Sequence, residues 1–97
     1  MIVFFDVDGT LITFEDKPRH EVIQLLRTIY SLDVDIVVWS GGGKEYAQRW
    51  VDRLGLDQYV REVATKEKSV YDVAPAHKVL LTVDDEDADF GVPNMKV

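Results

Sequence analysis

The chain has 97 residues and no cysteine, with 46% hydrophobic and 30% charged residues. That bounds it to one domain with a single core and excludes disulfides, thiolate nucleophiles and cysteine-held zinc. Its 18 acidic residues against 11 basic ones leave a net charge of -7, which argues against the basic face that general nucleic-acid binding needs.

The first strand is expected over Ile2 to Val7, a continuously apolar, β-prone run of the kind found in strands covered on both faces. Met1 to Phe5 is too short for a secretory leader and lacks a basic start. No apolar run approaches the ~20 residues of a membrane span, so a cytoplasmic protein is expected. Asp8 to Lys17 reads as a loop. A helix follows from about Pro18, a residue suited to a first turn, to about Tyr30. Val22, Leu25, Leu26, Ile29 and Tyr30 form its apolar stripe.

Asp35 to Trp39 is the second expected strand, ending in Ser40-Gly41-Gly42-Gly43. The next helix runs from Lys44 to Leu54, with Ala47, Trp50, Val51 and Leu54 on one face and Gly55 as a left-handed stop. Tyr59 to Ala64 is a weaker third strand, and a short helix fits around Ser69 to Val73, ended by Pro75. Val79 to Val83 is the fourth strand. An acidic loop or short helix from Asp84 to Phe90 follows, and Gly91 breaks it. Val92 to Val97 reads as a short fifth strand, which Pro93 places at an edge or outside the sheet. Trp39 is expected to point into the sheet–helix interface and Trp50 to lie on the apolar helix face, both as core.

Strands alternating with helices predict an α/β fold: an open, three-layer sheet of mostly parallel strands with helices on both faces. The spacing leaves no room for a second domain. In such a sheet the C-terminal strand ends share one edge, where ligands bind. Here those ends carry Asp6 and Asp8, then Ser40 with its glycines, then Lys66 and Lys68, then Asp84 and Asp85. Buried unpaired carboxylates are costly, so two acids closing an apolar strand call for partners. Carboxylates of the first and fourth loops suit Mg²⁺, which takes oxygen ligands. A carboxylate can attack phosphorus once the phosphoryl charge is neutralised by metal and lysine. A second carboxylate can protonate the leaving oxygen. Ser40 and the N–H groups of Gly41 and Gly42 suit phosphate oxygens near a helix start. For the acids Asp84, Asp85, Glu86, Asp87 and Asp89, the plainer alternative is a solvated acidic turn.

Phe4-Phe5-Asp6-Val7-Asp8-Gly9-Thr10 resembles the first motif of the haloacid dehalogenase (HAD) superfamily, mostly phosphatases, and the likeness spans Ile2 to about Asp89. The resemblance implies Asp6 as nucleophile and metal ligand. It implies Asp8 as general acid/base, with its backbone carbonyl also on the metal, and Thr10 as support for the loop. Ser40 matches the second motif. The third-motif lysine is Lys66 or Lys68, with Lys66 preferred. Asp84-Asp85 matches the fourth motif; Asp85 is preferred as metal ligand from its spacing to Asp89, with Asp84 the alternative. Neither place where the family inserts a cap has room for one, which implies a capless member. An open site of that kind takes a macromolecular phosphorylated substrate, or is closed by a second subunit of a homo-oligomer.

The expected function is therefore a Mg²⁺-dependent phosphatase working through an aspartyl-phosphate on Asp6. The alternative is a catalytically weak HAD-like phosphate-binding or regulatory module. A response-regulator receiver domain is disfavoured, because Ser40 rather than an aspartate ends the middle strand.

Overall fold

A computed structural model describes residues Met1–Val97. Five strands, β1 (Ile2–Asp6), β2 (Asp35–Ser40), β3 (Val60–Thr65), β4 (Val79–Asp84) and β5 (Asn94–Lys96), form one sheet in the order β3-β2-β1-β4-β5. Every pairing is parallel. Two helices, α1 (His20–Ser31) and α2 (Lys44–Arg53), make the connections β1–β2 and β2–β3.

The strand order explains where the layers lie. The chain steps outward from β1 to β3, then returns past β1 to β4. Right-handed crossovers put connections made in opposite directions on opposite faces of the sheet. Accordingly, Val22, Ile23 and Leu26 of α1 and Ala47, Trp50 and Val51 of α2 share one core cluster with Val3 and Phe5 of β1 and Ile36 and Val38 of β2. Ile2, Phe4, Val37 and Trp39 face the other way, against Val70 and Ala74 of the β3–β4 connection. Phe90 and Val92 of the β4–β5 connection join them.

The second covering layer is thinner than the sequence suggests. Its only helical piece is a 3-10 turn at Val70–Asp72, with Ser69 Oγ accepting from the Tyr71 N–H at 3.1 Å. Thirteen residues separate β3 from β4 at most, and Pro75 ends any helix begun at Ser69. Trp39 therefore lies away from both α-helices, edge-on to Phe4 at 4.7 Å and to Phe90 at 5.2 Å.

Most element boundaries shift by one or two residues. α1 begins at His20 rather than near Pro18. Pro18 is held in an antiparallel bridge with Ile12, and the Arg19 N–H donates to the Leu11 carbonyl at 2.9 Å. Thr65 at the end of β3 caps α2, its Oγ1 accepting from the Lys44 N–H at 3.1 Å. Gly55, at φ +68°, follows α2 in the left-handed region as expected. β5 is an edge strand. No helix is long and apolar enough to cross a membrane.

Candidate active site

The reversal of strand order between β1 and β4 is a topological switch point, where the crevice beyond the strand ends is open to a ligand. Asp6 closes β1 and Asp84 closes β4. Their side chains are neighbours because of an irregularity in the pairing. Ile2 pairs with Val79 but Val3 with Leu81, so one residue of β4 is skipped. The register then runs Phe4 to Thr82 and Phe5 to Val83. Carried one step further, it sets Asp84 beside Asp6; without the skipped residue Val83 would stand there.

Lys66, just past β3, bridges the two acids. Its Nζ lies 3.2 Å from Asp6 Oδ1 and 2.6 Å from Asp84 Oδ2. The ammonium also sits 5.0 Å from the centre of the Phe90 ring. The fourth member is Asp85. Thr10, fully buried, has its Oγ1 3.2 Å from Asp6 Oδ2 and 3.3 Å from Asp85 Oδ1. The Glu86 N–H donates to Asp84 Oδ1 at 3.0 Å. Oxygens of Asp6, Asp84 and Asp85 all lie within 4.8 Å of one another.

Three acids facing one lysine leave the cluster electrostatically unbalanced. Burial, followed by the charge of Asp84, pushes the Asp6 carboxyl up from 3.8 to about 7, although Lys66 pulls it down. Burial alone would lower Lys66. The hydrogen bond to Asp84 and the two facing carboxylates outweigh it, so the ammonium is held above its usual range.

Gly9 makes this packing possible. Its φ is +80°, and a Cβ there would lie 2.5 Å from Asp85 Oδ2 and 2.8 Å from Phe14 Cζ. Arg19 Nη1 donates to the Gly9 carbonyl at 2.7 Å, fixing the turn to the start of α1.

The geometry separates residues that the sequence offered as alternatives. Lys66 is in the cluster, whereas Lys68 is exposed and makes no ion pair. Asp84 and Asp85 both belong to it. Asp89 does not: its Oδ1 accepts from the Gly91 N–H at 2.9 Å in the following turn. Asp8 is half-buried and turned to the side, accepting from the Tyr46 hydroxyl at 2.6 Å. Ser40 is buried at the end of β2, and its Oγ accepts from the Gly42 N–H at 3.0 Å. That leaves Ser40 its own proton to donate and spends the Gly42 N–H. The Gly41 N–H has no backbone partner.

Sequence reasoning missed Tyr46 and Arg19. Tyr46 borders the apolar face of α2, one turn before Trp50, and a polar-tipped aromatic at a face boundary was the available signal. Nothing in the sequence distinguishes Arg19 from other surface arginines.

The cluster lies on an open edge. The two surface concavities are elsewhere: one of about 560 Å³ between Asp87 and Asn94, one of about 410 Å³ between Tyr30 and Asp35. The fold and this edge define a Rossmann-like α/β domain with three aspartates and a lysine gathered at its switch point. No protein-family model matches the chain, and no curated protein matches it.

Proposed function

We propose that the protein is a phosphomonoester hydrolase of the HAD type, using Asp6 as nucleophile. The observation that carries this reading is the Asp6–Lys66–Asp84 bridge at the switch point, with Asp85 completing an all-oxygen acidic group. Such a donor set, from Asp6, Asp84 and Asp85, suits Mg²⁺. When bound there, Mg²⁺ would offset both the mutual repulsion of the carboxylates and the charge of an incoming phosphoryl group.

The chain's own residues account for the remaining chemistry. Asp6 attacks phosphorus, and the bond from phosphorus to the leaving oxygen breaks with its electron pair on that oxygen. Asp8 donates a proton to it. The acyl-phosphate on Asp6 is then opened by water, whose proton returns to Asp8, releasing phosphate and restoring both carboxyl groups. Lys66 holds negative charge beside Asp6, Thr10 orients the Asp6 carboxylate, and the Ser40 hydroxyl with the Gly41 N–H suits phosphoryl oxygens.

Hydrolysis of p-nitrophenyl phosphate with Mg²⁺ and with chelator tests the mechanism. Turnover is expected only with the cation and not in Asp6→Asn. Full activity in Asp6→Asn, or indifference to chelation, refutes it.

One observation favours a second reading, a HAD-like phosphate-binding or regulatory module without turnover: neither concavity of the surface holds the acidic cluster. An open edge also fits a macromolecular substrate, or a site completed by a second subunit. A panel of sugar phosphates, nucleotides, nucleic-acid ends and phosphopeptides separates these. Binding of a phosphate mimic without turnover of any member is the result the second reading requires.

A further inference from the structure

Asp8 has a partner that the phosphatase reading does not use. Tyr46 stands in the first turn of α2, and its hydroxyl donates to Asp8 Oδ1 at 2.6 Å, across 38 residues of chain. This distance is in the range of a hydroxyl bonded to a charged carboxylate. Asp8 makes no other side-chain hydrogen bond, so Oδ2 is without a partner in the protein. The ring that carries the hydroxyl is itself placed. A Cβ on Gly42 would lie 3.1 Å from Tyr46 Cδ2, so the glycine turn after β2 makes room for it. The Arg49 guanidinium covers the ring at 5.8 Å from its centre.

A general acid must present its proton from a defined oxygen in a defined direction. Resting on the phosphatase reading, we propose that Tyr46 is a positioning residue that caps Asp8 Oδ1 and so assigns proton transfer to Asp8 Oδ2. With Oδ1 accepting from Tyr46 in both protonation states, the acid carries its hydrogen on Oδ2. As the bond from phosphorus to the leaving oxygen breaks, that hydrogen passes from Oδ2 to the oxygen that has gained the electron pair. In the second half, Oδ2 takes a proton from the water that opens the acyl-phosphate. Tyr46 keeps its own proton throughout. A tyrosine that merely fills space on the face of α2 would have no such directional effect.

The readout is dependence on the leaving group, because p-nitrophenolate departs without a proton and an alkoxide does not. Wild type, Tyr46→Phe, Asp8→Asn and the double variant are assayed on p-nitrophenyl phosphate and on glycerol phosphate, with thermal melting of each variant. Tyr46→Phe is expected to lower kcat on glycerol phosphate by about ten- to a hundredfold, with KM little changed and a loss on p-nitrophenyl phosphate about ten times smaller. Asp8→Asn should show the same selectivity in stronger form. In the Asp8→Asn background, Tyr46→Phe should cost nothing more, since it acts through Asp8.

Equal losses on both substrates, or additive losses in the double variant, make Tyr46 a packing residue and overturn the proposal while the phosphatase reading stands. A wild type that turns over neither substrate, nor any sugar phosphate, nucleotide, nucleic-acid end or phosphopeptide, overturns both.

Discussion

Replacing Asp6 by asparagine should stabilise the metal-free protein, and the gain should depend on pH. Asp6 is buried, and Asp84 and Asp85 lie close by, with only Lys66 to balance them. Its carboxyl is raised from 3.8 to about 7. A raised acid contributes stability in its protonated form, fully present below 3.8 and lost as pH climbs through 7. That interval corresponds to about 4 kcal/mol by linkage. Asparagine keeps one acceptor, for the Lys66 ammonium, turns its amide N–H to the Thr10 hydroxyl oxygen, and never ionises. Its advantage over wild type should therefore approach about 4 kcal/mol at pH 8, fall below about 2 at pH 5 and vanish near pH 3. Relaxation of the exposed rim of the cluster makes the first figure an upper bound. Even half of it raises Tm by about 10 °C in a domain of this size. The assay is thermal or urea unfolding in chelator across that pH range. A variant less stable than wild type at pH 8, or a difference that ignores pH, refutes the account of the cluster as frustrated. Saturating Mg²⁺ should raise the Tm of wild type more than that of Asp6→Asn, which lacks one of the three carboxylates.

Further outcomes follow from the same geometry. Lys66→Met should lower kcat by about a hundredfold or more, whereas Lys68→Met, changed at an exposed residue without an ion pair, should stay within about twofold. Steady-state kinetics on one aryl phosphate decides both. Gly9→Ala should cost about 1–3 kcal/mol, because φ is +80° and the new methyl meets Asp85 Oδ2; unfolding in chelator measures it, and a weaker response of Tm to Mg²⁺ should accompany it. Phe14 is 74% exposed, with its ring tip beside Gly9 and Asp85. Phe14→Ala should leave stability within about 0.5 kcal/mol yet raise KM for aryl phosphates several-fold, and an unchanged KM would remove Phe14 from the substrate's path.

The parallel α/β sheet was legible because its signals are local. Ile2 to Phe5, Ile36 to Val38 and Val79 to Val83 are apolar runs with polar closing residues, and both helices show stripes at three- and four-residue steps. Asp6 and Asp84 were legible as strand ends for the same reason. What the sequence hid is relational. Which lysine reaches Asp6 depends on where β3 stops, and that strand runs one residue past its expected end, to Thr65, leaving Lys66 at the edge. The face taken by Trp39 depends on the chain reversing direction across the sheet, and no local pattern around Trp39 records that. The skipped residue in β4 leaves no mark in an apolar stretch where Leu80 and Leu81 are alike. The Tyr46–Asp8 contact joins a helix start to a loop far away in the chain.

The order β3-β2-β1-β4-β5 also bears on how the site comes into being. β1 and β2 and their helices are contiguous in sequence and can associate by short-range contacts. The Lys66–Asp6 and Thr10–Asp85 contacts instead close loops of 60 and 75 residues, and long loops are the slow part of folding. A half-made chain can thus own a first-strand aspartate in a formed hydrophobic layer and still have no site. The carboxylates meet only as β4 docks beside β1, so their repulsion opposes the last closure rather than the initial collapse. Neutralising Asp6 lifts that repulsion from the slow closure and is expected mainly to speed folding, with a smaller effect on the rate of unfolding.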